Sequence, residues 1–128
     1  MKSVSSLKKK AWKVFSEYIR KRDSDWRGWG KCYTCGKKLF WKSGDAGHFI
    51  SRVHNNTLFS ELNVHLQCKH CNNQGGEPAA YALHLIKDYG ADIIILLQKQ
   101  STRIKQFKVS ELERIILVYS GLLKKLDK

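Results

Sequence analysis

"CYTCGKKLFWKSGDAGHFISR", residues 32–52, decides how this chain must fold. It opens with a metal-knuckle spacing, Cys32-x2-Cys35, and ends with a lone histidine, His48, after a short strand-like run. A second pair, Cys68-x2-Cys71, follows, with 32 residues (36–67) between the pairs. Four thiolates complete the tetrahedral shell of a Zn²⁺ ion, which marks a closed structural site rather than a catalytic one. The metal then ties a β segment to the start of the helix that follows. His48, Asn63 and the residues just after Cys71 all fall in or beside the clamped region.

A chain of 128 residues is one domain by size, with a modest core that a structural metal would reinforce. Lys and Arg number 24 against 11 Asp and Glu, for a net charge of +13, and the basic residues are dispersed along the chain. Dispersed basicity points to a polyanion, and nucleic acid is the commonest one. The N-terminal "MKSVSSLKKKAWK" has no apolar run after its lysines, and the longest apolar run, "IIILL" (93–97), suits a core rather than a bilayer. The expectation is a soluble protein of a reducing cytoplasm with no membrane partner, in which paired cysteines are metal ligands rather than disulfides.

Outward from the central stretch, Leu7, Ala11, Val14, Phe15, Tyr18 and Ile19 recur at helical spacing against a face of Lys, Arg and Ser. "DSDWRGWGK" (23–31) breaks that helix. Lys31 to Ile50 reads as hairpin-like β structure, and "SRVHNNTLFSELNVHL" (51–66) as an irregular loop. Cys68 to Asn73 starts a helix. Pro78 opens another that Gly90 stops, and "ADIIILLQKQ" (91–100) is read as helical. Ser110 with Glu113 predicts a capped last helix whose stripe, from Leu112 to Leu126, serves packing or a dimer seam. The organisation expected is one domain, 1–128: a basic N-terminal helix (1–22), a zinc-bound core (31–76) and C-terminal helices (77–128).

A zinc-stapled β-β-α unit carrying His48, then Asn63, then Asn72 directly after Cys71, resembles the HNH endonucleases. "FSEYIRKRDSD", "CYTCGKKLFWKSGDAGHFISR", "NVHLQCKHCN" and "YALHLIKDYG" together resemble the NinG/Rap family of phage recombination nucleases, over roughly residues 11–90. The fold so implied is α+β, a zinc-stapled ββα-metal (HNH) core flanked by N-terminal and C-terminal helices. The activity implied is metal-dependent endonucleolytic cleavage of branched DNA such as D-loops and Holliday junctions, in the cytoplasm of a phage's bacterial host.

Residue by residue, the resemblance makes His48 the general base, Asn63 the residue that orients it or the backbone around the phosphate, and Asn72 a ligand of the catalytic metal. Many HNH enzymes carry an aspartate directly before the histidine. Here that position is Gly47, and Asp45, on the same side of a strand, is the substitute ligand. Phosphodiester hydrolysis needs a base near neutral pH and a cation on the developing charge. An unperturbed histidine titrates near pH ~6.5, and carboxylate and amide oxygens suit Mg²⁺ or Mn²⁺.

Arg52 is a candidate phosphate clamp, and His54 and His65 are candidate contacts to phosphate or metal. Trp26, Trp29 and Trp41 fit either packing or stacking on unpaired bases. Two symmetric cuts in a four-way junction would suit a homodimer. The rival readings are a non-catalytic zinc-ribbon DNA-binding module and an HNH nicking enzyme of other specificity.

Overall fold

The computed structural model describes residues 3–127. Helix α1 (Val4–Arg22) is capped by Ser3, whose hydroxyl oxygen accepts from the Ser6 amide at 3.1 Å, and it ends in Arg20, Lys21 and Arg22, where cations oppose the helix dipole. Its i, i+4 stripe of Leu7, Ala11, Phe15 and Ile19 is buried. Two antiparallel hairpins follow. β1 (Trp29–Lys31) pairs with β2 (Lys38–Phe40), and β3 (Gly44–His48) pairs with β4 (Val64–Cys68). A short helix α2 (Asn55–Leu58) interrupts the long connection between β3 and β4, and α3 (Lys69–Asn73) leads directly out of β4. Helices α4 (Pro78–Tyr89), α5 (Ile93–Ser101) and α6 (Val109–Leu126) complete a mixed α+β domain.

Helix α1 is the central support. Phe15 and Ile19 pack with Ala46 and Val64 on one face of the β3–β4 hairpin, while Leu7 and Ala11 pack with Leu112 of α6. The Phe15 ring meets Tyr119 edge-on, with centroids 4.8 Å apart. The other face of the hairpin is covered by α4, whose Tyr81 and Leu85 join Ile93 and Leu97 of α5. Full burial of each large apolar side chain contributes about 1.5–3 kcal/mol, so these clusters carry most of the stability.

The structure departs from the sequence reading in two places. The stretch expected to be one irregular loop contains α2 and most of β4, all five residues of which are buried. Polar His65 and Gln67 in β4 mask the strand signal, because they find buried partners rather than solvent. The last helix starts at Val109, so the capping carboxylate is Glu111, which accepts from the Lys108 amide at 3.1 Å, rather than Glu113. Of the stripe expected to serve packing or a dimer seam, Leu112, Ile115, Ile116 and Tyr119 pack inward against the clusters around α1, while Leu126 at its end, and Leu117 and Val118 beside it, are exposed. Among the described residues, no helix is long and apolar enough to cross a membrane.

Candidate functional site

The two cysteine pairs converge. Cys32 and Cys35 lie in the turn between β1 and β2, Cys68 ends β4, and Cys71 lies in α3. Their four sulfurs all lie within 4.8 Å of one another, and Cys35 Sγ is 3.8 Å from Cys68 Sγ. A tetrahedral Zn²⁺ with bonds of about 2.3 Å requires sulfur–sulfur edges of about 3.8 Å, so the donor set fits a structural zinc. Leu39 and Leu66 seal the cluster from inside, and the Cys71 amide points at Cys68 Sγ at 3.4 Å. A metal here would lock β4 and α3 to the β1–β2 turn.

His48 ends β3 on the face that carries Ala46, toward α1. Its ring stacks on Trp12, with centroids 4.8 Å apart, and Nε2 lies 3.1 Å from the Leu58 carbonyl. A carbonyl only accepts, so Nε2 carries the proton and the neutral ring keeps its lone pair on Nδ1. Nδ1 has no hydrogen-bond partner among the described residues and is not sealed from solvent. Burial, aided by the nearby Arg52 charge and opposed by the Leu58 hydrogen bond, lowers the His48 pKa to about 4. The ring is therefore neutral well below the pH ~6.5 expected of an unperturbed histidine.

Next to it, an open groove of about 460 Å³ is lined by Ser5, Lys8, Lys9, Trp12, Arg52 and Leu58. The Arg52 guanidinium lies 4.8 Å from the Trp12 ring. The groove thus sets two ammonium groups and a guanidinium around an aromatic floor. Trp12 was not singled out in the sequence. The available signal was a large aromatic one position off the apolar stripe of α1, with Lys on both sides of it along the chain.

Asn63 organises this corner from inside. Its Oδ1 accepts from the Ile50 amide at 2.7 Å, and its Nδ2 donates to the carbonyls of Ile50 at 3.0 Å and Thr57 at 3.1 Å. The fully buried amide thus holds the chain just after His48 and the α2 backbone beside Leu58, the carbonyl that orients the His48 ring. Its three hydrogen bonds all go to backbone.

Asp45 and Asn72 meet on the opposite face of the hairpin. Asn72 Nδ2 donates to Asp45 Oδ2 at 3.1 Å, and Lys69 Nζ lies 2.9 Å from Asp45 Oδ1. The strand register explains the separation from His48, since Asp45 and Gly47 face one side and Ala46 and His48 the other. Gly47 has no room for a carboxylate. A Cβ there would overlap Gln67 Oε1 and lie 2.6 Å from Gln67 Cδ. Gln67 is fully buried and donates from Nε2 to Thr34 Oγ1 and to the Gly76 carbonyl, both at 3.0 Å.

His65 is not available to phosphate. It is 3% exposed, stacks on Tyr33 at 4.0 Å, and its ring nitrogens lie 3.1 Å from the Tyr81 hydroxyl and 2.9 Å from the Tyr89 hydroxyl. Burial lowers its pKa to about 4. His65 therefore braces α4 against the hairpin, which corrects the expectation of a phosphate or metal contact. His54 is exposed at the start of α2, and Arg52 is exposed at the rim of the groove.

A family described as Bacteriophage Lambda NinG protein matches residues 1–128. The chain belongs to the NinG family. NinG proteins form a phage recombination-related family, and this member carries the cysteine cluster that could hold a structural zinc. No curated protein and no solved structure matches the chain with significance.

Proposed function

We propose that this NinG protein is a metal-dependent endonuclease of the HNH type that cuts branched DNA during phage recombination. The observation that carries the reading is the His48 corner: a neutral imidazole, oriented through Nε2 by the Leu58 carbonyl and stacked on Trp12, which lines a groove with Lys8, Lys9 and Arg52. A base whose second nitrogen is fixed by a carbonyl presents its lone pair in one direction, as proton abstraction from a bound water requires. A histidine serving only packing needs no cationic groove beside it.

The expected ligands Asp45 and Asn72 face the side of the hairpin opposite His48, and Asn72 turns Nδ2 rather than its oxygen to Asp45, so this pair is not arranged to hold Mg²⁺ or Mn²⁺ on the phosphate that His48 would serve. A divalent ion would supply stabilisation of the charge that develops on phosphate and leaving oxygen. Lys69 already gives Asp45 its cation. Lys8, Lys9 and Arg52 bind the backbone phosphates, and Asn63 keeps the His48 corner in register.

The test is cleavage of linear, nicked, flapped and four-way-junction DNA, with and without Mg²⁺ or Mn²⁺. Wild type should cut branched DNA only with the metal. His48→Ala should keep zinc, fold and DNA affinity while the rate falls about 10²- to 10⁴-fold. A folded His48→Ala protein that cuts at close to the wild-type rate defeats the assignment. Uncut DNA of every form, bound with undiminished affinity, would leave a zinc-containing DNA-binding module.

A further inference from the structure

Trp26 is 87% exposed at the tip of the turn that joins α1 to β1. A single exposed aromatic is ordinary, but Trp26 does not stand alone: Trp41 lines the same cleft. The turn does not hold Trp26 out by accident. Asp25 Oδ1 accepts from the amides of Arg27 at 2.9 Å and Trp29 at 3.0 Å, and the Gly28 amide donates to the Asp25 carbonyl at 2.9 Å. Gly28 adopts φ +88, and a Cβ there would meet Phe40 and Trp41, so the turn is pressed onto the aromatic end of β2. Trp26 is thus presented on a braced turn, at little ordering cost on binding.

Beside it lies an open cleft of about 410 Å³ whose walls include Lys21, Trp26, Arg27, Trp41, Leu126 and Asp127. Cations surround its aromatic rings. Arg27 lies 4.9 Å from the Trp26 ring, and Arg20, Lys21 and Lys42 lie 5.0, 4.7 and 5.7 Å from the Trp41 ring. The two carboxylates present are already engaged, Asp127 by Lys21 at 3.0 Å and Asp25 by the turn amides. Aromatic faces interleaved with cations are the pattern that binds single-stranded nucleic acid, where bases stack and phosphates pair. A duplex hides its base faces inside its own stack, so the complementary ligand is an unpaired segment.

We infer that the Trp26–Trp41 cleft is a second DNA-binding site, which stacks an unpaired base where strands branch and so gives the enzyme its preference for branched substrates. This deepens the proposed function and rests on it for the choice of DNA as partner. Helix α1 joins the two sites, with Trp12 in the His48 groove and Lys21 in the cleft. Nine helical steps separate Trp12 from Lys21, about 13.5 Å along the axis.

The experiment compares a fluorescent blunt duplex with the same duplex bearing an unpaired tail, by anisotropy, without Mg²⁺ or Mn²⁺ so that nothing is cut. Wild type should favour the tailed DNA. Trp26→Ala should lose roughly 5- to 150-fold of tailed-DNA affinity, the value of one stacked base, with duplex affinity unchanged. Trp26→Phe should retain much of the preference. Equal affinity of wild type for both DNAs, or an undiminished preference in Trp26→Ala, overturns the inference and leaves the patch to a protein partner. A protein that cuts no DNA but keeps a Trp26-dependent preference would refute the nuclease reading alone. A nuclease whose preference ignores Trp26 would refute this one alone.

Discussion

Gly47→Ala should be far more damaging than a glycine-to-alanine change in a strand has any local reason to be. The new methyl would overlap Gln67 Oε1 and crowd Cδ and Cγ at 2.6 and 2.9 Å. A flexible glutamine would simply swing away, but Gln67 has no exposed surface and is pinned by two hydrogen bonds, to Thr34 Oγ1 and the Gly76 carbonyl. Forcing it aside costs about 1–3 kcal/mol of overpacking. The two broken hydrogen bonds add about 1 kcal/mol each, for about 3–5 kcal/mol altogether. At this chain length 1 kcal/mol moves Tm by about 4 °C, so the variant should melt about 12–20 °C lower. Thr34 Oγ1 also lies 3.4 Å from Cys32 Sγ, so zinc retention should fall with stability.

The assay is thermal unfolding by circular dichroism for Gly47→Ala, Gln67→Ala and the double variant. In the Gln67→Ala background the added methyl enters vacated space and should cost under about 1 kcal/mol, a coupling of about 3 kcal/mol. A Gly47→Ala protein that melts within about 2 °C of wild type, or single costs that merely add, would show that Gln67 does not hold position 47 to glycine.

Cys68→Ser should lose its zinc and fold poorly, because metal affinity here is folding free energy; elemental analysis and circular dichroism check it, and a well-folded variant contradicts it. His48 and His65 should stay neutral in a proton NMR titration until about pH 4. Unfolded histidines take protons near pH ~6.5, so stability present above that pH is lost as pH falls toward 4, by on the order of 3 kcal/mol per residue. Cleavage should likewise not decline through loss of the His48 base between pH 8 and about 5.5, in contrast to a histidine that titrates near pH ~6.5. DNA affinity should fall linearly with log salt, by about 0.9 per duplex phosphate contacted, given the net charge of +13. A flat salt profile would count against phosphate-led binding.

The features legible in the sequence alone are local or stoichiometric. Two x2 cysteine spacings imply one tetrahedral cluster whatever lies between them, because four thiolates complete the shell of a Zn²⁺ ion. Helices α1, α4 and α6 were legible because their apolar residues recur at helical spacing along one continuous segment. Likewise, Asp45 and position 47 share a strand face by simple alternation.

The tertiary structure decided everything that depends on residues distant in the chain. The partner of β3 is β4, and β4 was hidden because His65 and Gln67 look like loop residues until Tyr81, Tyr89 and Thr34 satisfy them. The side chain missing at Gly47 is explained only by Gln67, twenty positions later. The proton on His48 is placed by the carbonyl of Leu58, and its low pKa by burial against Trp12 from α1. Periodicity reports which face of an element is apolar. It carries no information about which other element meets that face, and the chemistry of His48 and the exposure of Trp26 are both set by those meetings.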